Sequence, residues 1–304
     1  MKYYIFYFAV IIFFLFNCSE YRWEKVTTDA ENRVNILGVI SMDSTINSFV
    51  KVHRTIQPSD NDKIILRYDT TAYDTGAYDY YYETVRKLNY EYRDSEVIIS
   101  SSDGDYQFFP VIYKYKREFK NDNNAYRVME EVMFEDTLGI FKPEAGRNYF
   151  LKITTPNGKV VTAETTVPEV PKIDKTLLPD TLYTYDDLNI HFLDNLPYKK
   201  ITLSTKNTNH RGEEKVMSEN QQYYTFERLY LYIRSDTDTL NIKTTAYDKH
   251  YFDYFMKDRD DEVISFMLGE SDHGLNVGIE GGIGVFGSIA TYETQIIYNY
   301  RNEE

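Results

Sequence analysis

Polar and apolar positions alternate through most of this chain. Residues 33–41 (RVNILGVIS) set Val34, Ile36 and Val39 on one face, and residues 48–56 (SFVKVHRTI) place Phe49 against Val50 and Val52. A period of two marks a strand with one face buried. Residues 96–101 (EVIISS) and 106–115 (YQFFPVIYKY) predict a hairpin turning at Asp103-Gly104. Pro110 places the second of these strands at an edge or a bulge, because proline donates nothing to a ladder. Residues 126–134 (YRVMEEVMF) fit either period and are read as a strand from their neighbours. The clearest hairpin joins 147–155 (RNYFLKITT) to 159–167 (KVVTAETTV) through Pro156-Asn157-Gly158.

Beyond the stiff stretch Pro168-Glu169-Val170-Pro171 the alternation resumes in 188–193 and 200–205. Residues 223–234 and 239–245 read as a strand pair across 235–238, and a last strand runs over 289–300. Two segments carry the helical period instead. One is the Tyr-rich insertion 57–93, where Tyr78, Tyr81, Tyr82, Val85, Leu88 and Tyr92 recur at helical spacing. The other is 246–260, where Tyr247, Tyr251, Tyr254 and Phe255 stack on one side.

These elements predict a mostly β protein. An N-terminal immunoglobulin-like β-sandwich covers 33–168, and a β-rich C-terminal domain with a helix near 246–260 covers 173–304. The pentapeptide 70–74 (TTAYD) recurs at 244–248, a chance repeat in a chain so rich in Tyr, Thr and Asp.

The start of the chain follows a different rule. Lys2 precedes fourteen uncharged, apolar residues, 3–16, and the chain turns polar at Asn17, Cys18, Ser19 and Glu20. A charged start, a short apolar run and a processing site make a secretory signal peptide. A membrane-spanning helix needs about 20 apolar residues. Cys18 is the only cysteine of the 304 residues, and at this position it reads as the acylated first residue of a lipoprotein. Leu15 suits such a processing site, whereas Phe16 and Asn17 are larger than usual there. Residues 1–17 are then signal peptide and 18–32 a tether. Two or more acyl chains hold stably, since each buried methylene contributes about 0.8 kcal/mol.

Charge narrows the partners. Loss of 1–17 removes Lys2 alone and leaves 33 basic against 48 acidic residues, a net charge of −15. Phosphate backbones and anionic lipid repel such a chain, so nucleic acid is excluded and membrane attachment falls to the lipid. With Cys18 acylated no thiol remains for disulfides, metal or nucleophilic chemistry. Tyrosine is the outlier, at 30 residues against 18 Phe and 1 Trp. It suits half-buried strand faces and makes contact surface that loses little entropy on binding.

Candidate chemistry is sparse. His53, His191, His210, His250 and His273 show no metal-binding spacing. Residues 59–62 (SDND) match part of a calcium loop without its Gly and terminal Glu, and the acidic run 258–262 reads as solvated charge. The segment 278–287 (GIEGGIGVFG) is Gly-rich, but it precedes a strand and has no downstream ribose-binding acid, so it is not a dinucleotide fingerprint. Gly278, Glu280, Gly281, Gly282, Gly284, Phe286 and Gly287 are read as a structural motif. Its glycines permit a tight crossing against another strand, with Ile279, Ile283, Val285 and Phe286 packing inward.

Four features occur together: Cys18; the early strand pair 34–38 and 49–54; the hairpin 149–153 with Gly158 and 163–168 (AETTVP); and the ending 276–287 (NVGIEGGIGVFG). Together they resemble a domain-of-unknown-function family of outer-membrane lipoproteins, whose members end in an Asn-Ile-Glu-Gly-Gly-x-Gly-x-Phe-Gly type motif. Here Val277 and Gly278 stand between its Asn and its Ile. The resemblance spans nearly all of the chain after Cys18. Such proteins are often encoded beside TonB-dependent receptors. The resemblance therefore implies a lipid-anchored outer-membrane accessory or binding protein in uptake or export, with no catalytic residue, metal or cofactor to carry over. A glycan-directed surface hydrolase and a purely structural or adhesive envelope protein are the rival readings. The hydrolase requires two carboxylates converging in a cleft.

Overall fold

The computed structural model describes residues 33–55, 65–74, 80–88, 90–118, 126–205, 212–231, 236–256 and 276–301. Strands dominate them, so the protein is mostly β. The residues read as signal peptide and tether (1–32), the partial calcium-loop match 59–62, the acidic run 258–262, His210 and His273 lie outside the described residues.

Strands β1 (Val34–Ser41) and β2 (Phe49–Arg54) form an antiparallel pair. Val34, Ile36, Val50 and Val52 are buried on the shared face, as the alternation predicts. Strands β3 (Ile65–Asp74) and β4 (Tyr80–Leu88) pair antiparallel with each other. The helix read in this insertion is not formed. Residues 80–88 run instead as a strand parallel to β7 (Tyr126–Glu135), which offers an open edge of backbone donors and acceptors. Strand pairing overrides a helical spacing built mostly from tyrosines, which favour strands.

β5 (Glu96–Ser101) and β6 (Gly104–Glu118) form the expected hairpin, with Ser102 and Asp103 as its turn. β6 changes partner midway. It pairs with β5 over 104–108 and with β7 over 109–118. Pro110 falls just past the change, where among the described residues the strand pairs with β7 alone, an edge-like position of the kind that tolerates a missing N–H. β8 (Asn148–Thr154) and β9 (Val160–Thr166) form the Asn-Gly hairpin, with Gly158 at φ 78°.

The sheet turns back at β6. Side chains of β1, β2 and β7 and of β5, β8 and β9 share one buried core that includes Phe108, Phe134, Tyr149 and Leu151. A second core gathers Ile190, Ile201, Leu240, Ile242 and Tyr298. It is built on β10 (Thr181–Tyr183), β11 (Leu188–His191), β12 (Lys199–Thr205), β13 (Glu213–Met217), β14 (Tyr223–Phe226) and β15 (Thr237–Tyr247). The long strand read over 223–234 stops at Phe226, followed by a turn in which Arg228 takes φ 48°. β14 pairs with β11 and not with β15. β15 lies between β12 and β18 (Ile283–Asn299), whose longer edges bury more of it than a hairpin with β14 would.

Residues 168–173 separate these two cores in sequence, but β18 serves both. Its first part runs parallel to β1, pairing Asn35–Ser41 with Ile283–Ile289. Its second part runs antiparallel to β15, from Ile289 opposite Tyr247 to Asn299 opposite Thr237. Phe286 enters the first core, Ile296 and Tyr298 the second, and Ile289 a small third cluster with Val39, Tyr247 and Phe252. The described residues between Arg33 and Arg301 belong to one compact unit.

Candidate functional site

The helix read over 246–260 is shorter in the structure. Ala246 and Tyr247 finish β15, Asp248 caps the helix, and α1 covers Lys249–Phe255. Asp248 Oδ1 accepts from the Tyr251 N–H at 2.9 Å, the usual N-cap bond, which contributes about 1 kcal/mol. The same carboxylate binds two other elements. Its Oδ1 accepts from the Ser288 N–H of β18 at 3.0 Å, and its Oδ2 accepts from Thr165 Oγ1 of β9 at 2.7 Å. Thr165 Oγ1 lies 3.0 Å from Ser288 Oγ, which donates to the Thr166 carbonyl at 2.9 Å. Burial pushes the Asp248 carboxyl up, against the pull of these donors and of His250. One side chain thereby joins β9, α1 and β18.

The glycine-rich segment builds the space around this hub. β16 (Asn276–Val277) and β17 (Ile279–Glu280) are two-residue strands joined at Gly278, which has φ 70°. Asn276 closes the bend: its Nδ2 donates to the Ile279 carbonyl at 3.0 Å and its Oδ1 accepts from the Ile279 N–H at 3.3 Å. β17 pairs with β9 at the end of the sheet.

His250 lies flat on Gly278, where a Cβ would sit 2.5 Å from the imidazole Cε1. At Gly284 (φ 113°) a Cβ would sit 2.0 Å from the Ile36 carbonyl oxygen, so only glycine lets β18 start beside β1. A Cβ at Gly281 or Gly282 would sit 2.6 or 2.7 Å from the Val160 or Val34 carbonyl oxygen, and one at Gly287 2.8 Å from Tyr251 Cβ and 2.9 Å from Asp248 Oδ1. Phe286 is fully buried, with its ring against the open side of Gly38. Ile279 and Val285 are buried, and Ile283 is half-buried.

Gly278 and Glu280 line a cleft of about 580 Å³ over the outer face of β5, β8 and β9. Exposed Phe150 and Lys152 of β8, together with Glu164 of β9, form its floor, and His250 forms one wall. His250 also borders a second cleft of about 390 Å³, shared with Glu164, Tyr198 and Asp248. The His250 Nδ1–H donates to the Phe286 carbonyl at 3.3 Å, which leaves Nε2 as an acceptor. The opening therefore combines an apolar ring, an ammonium, two carboxylates and an imidazole acceptor. Such a mixed lining suits recognition of a polar ligand by hydrogen bonds.

Of the residues read from sequence as a motif, Gly278 and Glu280 reach this cleft, and Gly281, Gly282, Gly284, Phe286 and Gly287 hold its back wall together. Cys18 lies outside the described residues. Sequence reasoning gave Asp248 and His250 no special weight and missed Thr165, Ser288 and Glu164. The signal for Asp248 was local: an Asp directly before a helical period is an N-cap pattern. Its bonds to Thr165 and Ser288 had none.

Among the described residues no group of His, Cys, Asp and Glu has the arrangement of a metal site. No helix among them is long and apolar enough to cross a membrane. No protein-family model and no curated protein sequence matches the chain.

Proposed function

We propose that this protein is a lipid-anchored binding protein of the outer membrane, held by acylated Cys18, that serves a TonB-dependent receptor as an accessory subunit in uptake or export. The observation that carries the reading is the sequence before Cys18: one charge, fourteen apolar residues, then the sole cysteine at the polar boundary. The open cleft bounded by Phe150, Glu164, His250 and Glu280 supports a binding role. The immunoglobulin-like reading of residues 33–168 belongs to the same proposal, and the core shared between β1, β2, β7 and β5, β8, β9 supports it.

The test is affinity purification of the tagged protein from outer membranes in mild detergent, with cross-linking and a Cys18→Ala control. Stoichiometric recovery of a barrel receptor, lost in the control, is the expected result. Recovery of the protein alone sinks the accessory role.

One observation favours a second reading. Glu164 and Glu280 line the same cleft, which is the pairing a glycan-directed hydrolase needs. That reading predicts release of reducing sugar from a polysaccharide, abolished in both Glu164→Gln and Glu280→Gln. Activity that survives both substitutions removes it.

A further inference from the structure

A different part of the molecule carries a stacked pair of exposed tyrosines. Tyr185, in the β10–β11 loop, and Tyr230, after β14, lie with ring centroids 5.2 Å apart and planes 17° from parallel. Their exposures are 40 % and 46 %, so both rings keep open surface.

The backbone beneath them is firmly held. The Tyr185 N–H donates to the Leu229 carbonyl at 2.8 Å, and the Leu229 N–H donates to the Asp186 carbonyl at 3.0 Å. Buried Tyr298 pins the second loop, donating from its hydroxyl to the Leu229 carbonyl and accepting there from the Leu231 N–H, both at 3.1 Å. Tyr185 has φ 68°, a conformation that a bulky residue rarely adopts. Such outliers cluster at sites where geometry serves binding.

One member of a polar pair is carried by the same loop, since Asp186 directly follows Tyr185. Arg301 Nη2 lies 2.9 Å from Asp186 Oδ1, and the Arg301 guanidinium sits 5.2 Å from the centre of the Tyr183 ring. Asp186 Oδ2 accepts from the Tyr183 N–H at 3.1 Å, which fixes the carboxylate. Arg301 stays half exposed and Asp186 partly so.

We propose that the Tyr185–Tyr230 stack and the adjoining Asp186–Arg301 pair form a binding site for a pyranose ring of an oligosaccharide. One face of such a ring is lined by C–H bonds and lies on an aromatic surface, while its edge carries hydroxyls that both donate and accept. The tyrosines supply the first surface. The carboxylate accepts from the hydroxyls and the guanidinium donates to them, in charge-assisted bonds.

Size favours a sugar over a protein. A tyrosine presents up to about 250 Å², so the two rings expose roughly 200 Å². Each partner of a stable protein pair buries about 800 Å², whereas one or two sugar rings need no more than the stack offers. The rings are already ordered, so binding loses little side-chain entropy. The site requires neither the lipid anchor nor a receptor.

The experiment uses the full chain in a polyoxyethylene-ether detergent, which has no sugar head group. Maltohexaose, cellohexaose, mannohexaose and chitohexaose are the probes, read by saturation-transfer NMR and titration calorimetry. Binding of at least one probe is expected, weakened tenfold or more in Tyr185→Asn and Tyr230→Ala and retained in Tyr230→Phe. Asn tolerates the Tyr185 backbone, so the first variant removes the ring and not the loop. Without any variant, the bound probe should also protect Tyr185 and Tyr230 from iodination mapped by mass spectrometry. Absence of saturation transfer from all four probes overturns the proposal. So does binding that neither ring substitution weakens, or protection of both tyrosines by a co-purified protein instead of a sugar.

Discussion

Thr165 donates a hydrogen bond to Asp248 across 83 residues of sequence, and with it β9 is tied to the start of α1. Both residues line the cleft of about 390 Å³ that His250 also borders. The acid that caps the helix therefore also sets where the helix sits.

Asp248 should make the protein's stability fall as pH rises. Its folded carboxyl is held above the ordinary value, chiefly by burial. Between the ordinary carboxylate range and that raised value the folded state binds more protons than the unfolded chain, so stability drops through this window. Above it, the stabilising contribution of the protonated form is gone. Melting temperatures of the protein and of Asp248→Asn, compared from pH 3.5 to 7.5, check this. Asn still caps the helix, and the advantage of the parent protein over the variant should shrink with rising pH. A difference independent of pH refutes the assignment.

His53 has the opposite sign. Its Nε2 is buried without a hydrogen-bond partner among the described residues, and its ring meets Tyr90 edge-on at 5.2 Å. Burial lowers its pKa to about 4, against a smaller opposing pull from Glu131. The unfolded chain then binds the extra proton between about pH 4 and the ordinary value of 6.5, so this contribution to stability rises through that window and is complete above it. Long-range ¹H–¹⁵N NMR should find His53 neutral at pH 5.5. A midpoint near 6.5 contradicts the burial.

The glycines separate space from conformation. Gly284→Ala would force a Cβ to 2.0 Å from the Ile36 carbonyl oxygen, in addition to φ 113°. A clash against backbone in the core should cost about 3 kcal/mol or more. At Gly158 (φ 78°) a Cβ meets nothing within 4 Å, so Gly158→Ala should cost only the left-handed backbone, about 1–2 kcal/mol. Urea unfolding of the two variants ranks them, and equal losses would contradict the close approach of β18 to β1.

Lys199 is fully buried, 3.0 Å from Asp194 and 4.0 Å from the centre of the Phe192 ring. Removing one partner of a buried pair strands the other, so Asp194→Ala should cost about 3–5 kcal/mol. Lys199→Met replaces the ammonium with an apolar chain of similar length and leaves Asp194 partly exposed and still accepting from the Lys172 and Leu196 N–H groups, so it should cost less than Asp194→Ala. Urea midpoints of the two variants decide it, and a Lys199→Met loss as large as that of Asp194→Ala refutes the stranded-charge account.

Much of the strand pattern was legible because it is local. Alternation placed β1, β2, β5 and β12, and Asn157-Gly158 placed the β8–β9 turn. The errors arose where a partner distant in sequence decided the outcome. Tyr80–Leu88 forms a strand because β7 offers it an edge. Residues past Phe226 leave the strand path because β15 is already paired on both sides.

The same division runs through the whole protein. By itself the sequence determined the β class, the tight turns, the uncharged apolar run that ends at the sole cysteine and the need for close backbone approach in 278–287. These follow from the period of the side chains and from what glycine, proline and cysteine can each do. Only the tertiary structure decided that β18 would lie parallel to β1, that Asp248 would bind Thr165 and Ser288, and that Tyr185 would stack on Tyr230. Each of these joins segments tens to hundreds of residues apart. A strand's alternation states which face is buried but not which strand it meets, and that choice is made by how the whole set of apolar faces can be covered at once.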